Sequence, residues 1–447
     1  METLKYYLRL GGKDALLALP AAALLTLVFV LLTRKKREPD KREKLRWFLS
    51  FWYLCLLLLL VFLGGRVETR MPPFSAARLY PFDTLRRALI SPDRSELTLL
   101  VLNVLSFVPF GLLLVRHARG REHGARLFWL LPLLPLLIEL TQFATGLGTL
   151  EIDDWIANTV GGAWGVCMGL YYANRKTKKA RTWGALALLP LLIAALGAGL
   201  WLARPFGFLP EDFADPALPR PAEVEIESPE ELPQGELPVY RLRQPGREAA
   251  AGIADRLFGA LGLERKTDME DAYDDFTVYW ALHSNAYVWV FYSGDFMLTI
   301  REELLPDGPE DEALSELLRK AGYELPAPSA AEEGRLAWDM VEAGGCLWDG
   351  EIRFRHMNSG MLRVDYALRT LDPAVTRPAP DAAAVRSALL RGRFSVSEGT
   401  VGETIGRIEC LGASLVYEPD TKGFYRPLYA LDCLVDGAPA TLLTPAS

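Results

Sequence analysis

Residue patterns for metal binding, nucleotide binding and covalent catalysis are missing from this sequence. Its 447 residues include only four histidines and five cysteines, and none has the spacing of a zinc site. It contains neither a Walker loop nor a Gly-x-Ser-x-Gly motif. We therefore expect no metal and no cofactor, and we interpret His283 and His356 as surface or core residues. Cys346, Cys410 and Cys433 can form one disulfide at most, so no disulfide framework is predicted.

Acidic residues are scarce in the N-terminal half of the chain, and basic residues are outnumbered in the C-terminal half. Residues 1–204 hold 27 Lys and Arg against 14 Asp and Glu, whereas residues 205–447 hold 22 against 42. This asymmetry indicates two regions with different surroundings. The basic runs border apolar segments, as orienting charges of membrane spans do, so nucleic acid is not an expected partner.

The first half contains long apolar segments, most of them near the ~20 residues that cross a bilayer core of about 30 Å. We predict an all-α polytopic membrane domain with six transmembrane helices in residues 1–204, followed by an extracellular α+β domain. The alternative is that segment 97–115 or 127–143 inserts only partly. The six predicted spans are about 15–32, 47–65, 97–115, 127–143, 152–172 and 183–203.

The charges of the loops orient these spans. The basic loops are residues 34–46, with eight Lys and Arg, 116–126, with four, and 174–181, with five. In a six-span arrangement all three lie on one side, which the positive-inside rule makes cytoplasmic. We therefore expect a multi-pass protein of the cell membrane whose N- and C-termini are both extracytoplasmic. RKKR follows the first span, so this span is interpreted as an uncleaved anchor.

The C-terminal half has two parts. Residues 205–239 are rich in prolines and acids and are predicted to form a stiff linker. Residues 240–447 are predicted to form the extracytoplasmic α+β domain, in which no catalytic or metal motif occurs. Its predicted helices are EAAAGIADRLFGALGL and DAAAVRSALL, its strands are FTVYWALH, AYVWVFY and FMLTIRE, and its last hairpin is SLVYEPDTKGFYRPLYALDCLVDG.

Lysine is absent from the predicted outer loop 66–96, which nonetheless contains six arginines. Because arginine binds carboxylates and phosphates with two parallel hydrogen bonds, Arg78, Arg86 and Arg87 are candidate ligands of an anion. The other interpretation is that the arginines reach lipid headgroups at the interface. LYPFDTLRRALI is predicted to form a short amphipathic helix. The other arginines of the loop are Arg66, Arg70 and Arg94.

Polar residues recur near the outer ends of predicted spans three, four and five. In the fifth, Asp154 and Asn158 share one face with three glycines, which allow a close approach of another helix. Ionisable groups at membrane depth are costly and indicate function. The alternatives are that an acid only caps the fifth span, or that the polar groups only fix helix packing. The candidate residues are Asn103, Ser106, Glu139, Gln142, Asp153, Asp154 and Asn158.

Four motifs of the chain resemble those of the VanZ-like family of bacterial membrane proteins. They lie within about residues 78–172 and read RLYPFDTL, NVLSFVPFGLLL, IELTQ and EIDDWIANTVGGAWG. The family is named for a protein linked to low-level teicoplanin resistance, and the resemblance implies a small helical membrane domain at the cell envelope. In TLEIDD, Glu151 keeps an acidic charge, but a basic partner found in many members is missing. The family-type positions are Pro81, Phe82, Asn103, Pro109, Phe110, Gly111, Glu139, Gln142, Asp153, Asp154, Asn158, Thr159 and Gly161.

Three functions remain open on these grounds. In the first, the chain is an envelope protein that binds an anionic lipid or a lipid-linked cell-wall precursor and contributes to glycopeptide tolerance. Alternatively it is a membrane-embedded enzyme on a lipid-linked phosphate substrate, with Glu139, Asp153 or Asp154 as catalytic acid or base. Or it is an envelope-stress sensor or scaffold with an envelope protein as partner. Carboxylates without a nucleophile motif favour binding, for which the candidate residues are Asn103, Gln142, Asn158, Arg78, Arg86 and Arg87.

Overall fold

The computed structural model describes residues 2–33, 40–62, 74, 77–91, 95–117, 129–273, 275–305, 310–332, 334–357 and 360–446. It divides into two compact units, Met1–Pro205 and Phe206–Ser447. The first unit is largely helical, and the second is built on a β-sheet. Arg66, Arg70 and Arg94, and parts of the basic loops 34–46 and 116–126, lie outside the described residues.

The described part of the first unit contains helices and a small pair of strands. In chain order its elements are α1 (Glu2–Thr33), α2 (Lys41–Phe62), β1 (Ala77–Arg78), α3 (Asp83–Ile90), α4 (Ser95–His117), α5 (Leu133–Thr145), β2 (Leu150–Glu151), α6 (Ile152–Asn174) and α7 (Lys179–Ala203). The predicted amphipathic helix of LYPFDTLRRALI is present as α3.

The prediction of six transmembrane helices is wrong. In the part of the chain that the structure describes, three helices are long and apolar enough to cross a membrane, and they comprise Ala15–Thr33, Ser95–Arg116 and Lys179–Ala203. These correspond to the predicted spans 15–32, 97–115 and 183–203. The fold is therefore a helical unit with three candidate spans, followed by a unit with a fourteen-stranded sheet.

The other three predicted spans fail for different physical reasons. The segment 127–143 is interrupted at Leu131 and Pro132, and the helix after the break, α5, has 13 residues, about 20 Å of the ~30 Å required. In α2, charged residues occupy most of positions 41–46, and residues 63–65 of the predicted span lie outside the described residues. In α6, two aspartates, two asparagines and four glycines make the helix less apolar than a typical span.

Helices α4 and α6 pack against each other at backbone contact. A Cβ atom added to Gly161 would lie 2.0 Å from the carbonyl oxygen of Val104, and one added to Gly165 would lie 2.0 Å from that of Val108. Such distances are possible only for glycine, so the predicted glycine face is the contact face. The paired positions increase together along both helices, which shows that α4 and α6 run parallel and begin at the same side of the unit.

Helix α7 runs antiparallel to α6. Trp164 Nε1 donates a hydrogen bond to the carbonyl oxygen of Ala187 at 2.8 Å, and Gly184 lies against the ring of Tyr171. Among the residues in contact, the numbers in α6 therefore increase as those in α7 decrease. As a result, the basic segment 174–181 lies at one side of the unit, and α7 ends at Ala203 on the side where α4 and α6 begin.

The second unit contains the predicted α+β elements. Its strands are β3 (Glu223–Ile226), β4 (Glu236–Leu242), β5 (Arg265–Ala272), β6 (Phe276–Ala281), β7 (Tyr287–Phe291), β8 (Phe296–Arg301), β9 (Ala330–Glu332), β10 (Arg335–Ala343), β11 (Cys346–Met357), β12 (Met361–Pro378), β13 (Ser395–Glu398), β14 (Arg407–Pro419), β15 (Phe424–Val435) and β16 (Ala438–Pro445). Its α-helices are α8 (Arg247–Ala260), α9 (Glu310–Lys320) and α10 (Ala382–Leu390). The predicted strands over 276–302 and the hairpin of β14 and β15 are confirmed.

The sheet runs in the order β13-β16-β15-β4-β12-β8-β7-β6-β5, and the other five strands branch from this path. Helix α8 buries Ala250, Ile253, Ala254, Leu257 and Phe258, whose spacing of three and four residues forms one apolar face. This face and α9 pack on strands β6 to β8 in one core. A second core forms around α10 and the strands β14 to β16.

The segment predicted as a linker, 205–239, is packed into the second unit from residue 206 onward. It contributes β3, which pairs in parallel with β14, and the start of β4. Leu209, Val224, Leu232 and Leu237 are buried. Its prolines and acids therefore accompany apolar residues that contribute to the second core.

Candidate functional site

Two short strands assemble the polar residues of the helical unit. β1 and β2 pair in parallel, with Ala77 opposite Leu150 and Arg78 opposite Glu151. This pairing brings the segment before α3 next to the segment before α6, although more than 70 residues separate them in sequence. The predicted arginine and carboxylate candidates therefore meet where α3, α4 and α6 begin.

Asp153 links α6 to the start of α3. Its carboxylate accepts hydrogen bonds from the backbone N–H groups of Phe82 and Thr84, both at 2.6 Å. Phe82 has a φ of 68°, an unfavourable conformation for a residue with a side chain. Charge-assisted hydrogen bonds to the free N–H groups of a helix start are favourable and compensate for such strain. Asp153 is therefore a capping residue, but it caps α3 and not its own helix.

Three arginines surround two carboxylates next to this cap, and we call these five residues the arginine cluster: Arg78, Arg86, Arg87, Asp83 and Glu151. Arg86 is held closely, since its Nε and Nη2 lie 3.0 and 2.9 Å from Asp83 Oδ1. Arg87 Nη2 donates to Thr84 Oγ1 at 3.2 Å, and its contacts with the carboxylates are longer, with Nη2 3.6 Å from Glu151 Oε2 and Nε 3.7 Å from Asp83 Oδ2. Arg78 Nη1 lies 3.3 Å from Glu151 Oε1, and its side chain is 53% exposed.

Glu151 thus has basic partners that the motif TLEIDD itself lacks. Arg78 and Arg87, both before α4 in sequence, approach its two carboxylate oxygens. The backbone N–H of Glu151 also donates to Glu139 Oε2 at 3.0 Å. Glu139 is only 2% exposed, so this carboxylate fixes the connection between α5 and α6 from inside the unit.

A second group of polar contacts joins α2, α4 and α6. Asn103 Nδ2 donates to Asp154 Oδ1 at 2.7 Å. The hydroxyl of Ser106 donates to the carbonyl oxygen of Asn103, and the hydroxyl of Tyr53 donates to that of Ser106. The predicted proximity of Asn103, Ser106 and Asp154 is therefore observed. Because donors and acceptors are matched, this group stabilises the packing of the three helices.

Two polar atoms one turn further along α6 lack partners. Asn158 is buried, and its Oδ1 has no hydrogen-bond partner among the described residues; the same holds for Thr159 Oγ1. A buried acceptor without a partner costs free energy, so such positions suggest a missing donor. The main-chain carbonyl oxygen of Gln142 accepts from Leu147 N–H, and the Gln142 side chain lies against Gly148.

The sequence interpretation selected neither carboxylate of the cluster, Asp83 or Glu151, as a site residue, and of the two only Asp83 has a local signal. It precedes Arg86 and Arg87 by three and four residues in α3, the spacing at which helical side chains of opposite charge meet. That signal was sufficient to predict the pair. By contrast, the contacts of Glu151 come from residues distant in sequence, and no local pattern indicates them.

No cluster of three or more His, Cys, Asp and Glu in the described part of the chain is arranged to hold a metal ion. A cavity of the second unit has a volume of about 740 Å³, and its lining includes Trp280, His283 and Arg301. His356 Nδ1 lies within hydrogen-bond distance of Glu302 Oε1, at 2.8 Å.

Comparison with known proteins supports the resemblance found in the motifs. A family model described as VanZ/LLP1 matches residues 48–174. The matched region contains the arginine cluster and the group of Asn103 and Asp154, and it begins earlier than the 78–172 of the motifs. No curated protein and no solved structure matches the chain. A VanZ-like region therefore occupies less than a third of the chain.

Proposed function

We propose that this VanZ-like membrane protein of the cell envelope binds the phosphate of a membrane lipid or of a lipid-linked cell-wall precursor through Arg78 and Arg87 of its arginine cluster. The supporting observation is the loose pairing of Arg78 and Arg87 with one shared carboxylate, that of Glu151. Guanidinium groups that are gathered but not saturated can accept an anionic ligand in a bidentate manner.

The charges of the cluster are compatible with this proposal. Three arginines face two carboxylates, Asp83 and Glu151, which leaves one formal positive charge. The Nε of Arg87 is buried without a hydrogen-bond partner among the described residues. A phosphate oxygen next to this N–H would supply the acceptor that the N–H lacks. The phosphate would also compete with Glu151 for the guanidinium groups of Arg78 and Arg87.

Orientation favours a ligand in the outer leaflet. The basic segment 174–181 lies at the side of the helical unit opposite to the starts of α4 and α6, and it carries five Lys and Arg. The positive-inside rule assigns such a segment to the cytoplasm. The arginine cluster is then extracytoplasmic, where lipid-linked cell-wall precursors are used and where glycopeptides act. Glycopeptide tolerance is the phenotype we propose for this binding.

The carboxylates support binding more than catalysis. Asp153 accepts from two backbone N–H groups, Glu139 from one, and Asp154 from the amide of Asn103. A general acid or base must instead reach a proton of the substrate. These residues are consequently proposed as supports of the site, and the enzyme hypothesis gains no specific observation.

The proposal is tested with full-length protein reconstituted in vesicles of three compositions: zwitterionic lipid alone, with added anionic phospholipid, and with added lipid-linked pyrophosphate precursor. Arg87→Lys keeps the charge but loses the planar fork. We expect its affinity for the preferred anionic lipid to fall about tenfold or more, because one charge-assisted hydrogen bond is lost. Teicoplanin tolerance of cells carrying the variant should fall in parallel at equal protein level.

Arg86→Lys is the matched control on the same helix. A lysine at this position still pairs with Asp83, so we expect a change of less than threefold. Preference for the precursor over the anionic phospholipid would identify a cell-wall ligand, and equal binding would identify a general phosphate site. The proposal is wrong if Arg87→Lys and Arg78→Lys bind all three vesicle types as the unmodified protein does.

A further inference from the structure

Two cysteines face each other across neighbouring strands of the second unit. Cys410 on β14 and Cys433 on β15 are direct partners in the antiparallel register, and their Sγ atoms are 3.1 Å apart. Opposed residues of an antiparallel pair have Cα atoms about 4.5–5.5 Å apart, within the ~4.4–6.8 Å found for disulfides. The two sulfurs can therefore form a bond without a change of register.

The surroundings of this pair are those of a structural disulfide. Cys410 is 2% exposed and Cys433 4% exposed, and both belong to the second core. Leu411 is an extra residue in β14, so that a β-bulge directly follows Cys410. Cys410 also pairs with Ile226 of β3. A covalent link at this point would hold together the hairpin on which both β3 and β16 depend.

We propose that Cys410 and Cys433 form a disulfide in the mature protein, and that Cys346 remains a thiol. The proposal rests on the extracytoplasmic orientation argued under the proposed function, because disulfides persist in oxidising compartments. Cys346 begins a different strand, β11, where its thiol donates to Asp372 Oδ1 at 3.3 Å. The three cysteines of the unit thus divide into one bonded pair and one free thiol.

The oxidant is a thiol–disulfide oxidoreductase with a reactive disulfide. The thiolate of one cysteine attacks that disulfide, which forms a mixed disulfide and releases one thiolate of the oxidoreductase. The thiolate of the second cysteine then attacks the mixed disulfide, which forms the Cys410–Cys433 bond and expels the second thiolate. Two protons leave the protein, and its two electrons reduce the oxidoreductase. Because both sulfurs are buried in the folded unit, the exchange precedes closure of the hairpin core.

The test is made on the full chain from its native membrane. Free thiols are blocked with N-ethylmaleimide as the cells are lysed, and the protein is digested without reductant and analysed by mass spectrometry. We expect the peptides that contain Cys410 and Cys433 to be joined, and to separate on reduction, whereas Cys346 carries the maleimide. Maleimide on both Cys410 and Cys433 overturns the proposal.

Serine variants provide the controls. Cys346→Ser should leave the joined peptides unchanged, and Cys410→Ser/Cys433→Ser should remove them. Should the double variant fail to accumulate, the unmodified protein still provides a readout: reductant should lower its melting temperature by about 5–15 °C, and the same treatment of Cys346→Ser should give an equal shift. Labelling of Glu230→Cys from outside the cell shows separately whether the orientation holds.

Discussion

At the residue scale, the start of α3 depends on a carboxylate from another helix. The N–H groups of Phe82 and Thr84 both donate to the buried Asp153. Asp153→Ala leaves both donors without an acceptor, and we expect a loss of about 1–3 kcal/mol in unfolding free energy. Asp153→Asn keeps one acceptor oxygen and should cost less. The melting temperature of the purified full chain in detergent measures both.

The matched comparison is Asp154→Asn, at the next position of α6. Asp154 accepts from the Asn103 amide, and an asparagine oxygen can accept the same hydrogen bond. We therefore expect a smaller loss than for Asp153→Ala. Equal melting temperatures for Asp153→Ala and the unmodified chain would show that the cap has no energetic role.

The residue types of the site were predictable, but their pairing was only partly so. Asp83 and the two arginines of α3 follow local helical spacing. Glu151 meets Arg78 because β1 and β2 pair, and a two-residue strand has no sequence signal. The alternative of a capping acid likewise considered only the acid's own helix, the fifth predicted span, since local rules describe only local partners.

At the element scale, glycines determine how closely α4 and α6 approach. Gly165→Ala would place a Cβ atom 2.0 Å from the carbonyl oxygen of Val108, so the helices must separate. Overpacking of this kind costs about 1–3 kcal/mol, and we expect the upper part of that range because the contact is with backbone. Gly161→Ala should behave alike, with a lowered melting temperature and faster proteolysis.

Gly197→Ala is the control for this prediction. Gly197 lies within α7, and an added Cβ atom would have no atom within 4 Å. Alanine favours a helix over glycine by about 1 kcal/mol, so this variant should be unchanged or slightly more stable. If Gly161→Ala and Gly165→Ala match it, the close approach of α4 and α6 is unimportant for stability.

Element types were easier to predict than membrane crossing or sheet order. Apolar periodicity located α8 and α10, and local turns located the hairpins β7–β8 and β14–β15. Hydropathy also located helices in the first unit, but it could not predict the break at Pro132 that leaves α5 with 13 residues. The order of fourteen strands depends on pairings distant in sequence, such as β15 with β4, which no local pattern specifies.

At the scale of the whole molecule, charge and helix direction together predict the orientation. The basic segment 174–181 precedes α7, which is antiparallel to α6 and ends at Ala203 on the side where α6 begins. We therefore expect a cysteine at position 230 to be labelled from outside the cell and one at position 178 to be protected. Both are made as Glu230→Cys and Lys178→Cys in a Cys346→Ser background, because Cys346 is partly exposed.

This experiment tests the orientation that the two proposals share. The phosphate site and the disulfide both require the side at which α7 ends to be extracytoplasmic, so labelling at 178 with protection at 230 removes the location on which both depend. Labelling at 230 alone supports the extracytoplasmic location. Each proposal then depends on its own chemistry, namely bidentate binding by the guanidinium groups of Arg78 and Arg87 or bond formation between the sulfurs of Cys410 and Cys433. The charge pattern also predicts an extracytoplasmic N-terminus, which an N-terminal tag accessible to external protease would test. Because the chain does not have the six predicted spans, the side on which the N-terminus lies does not determine the side on which residue 230 lies. The two positions must therefore be assigned by separate measurements.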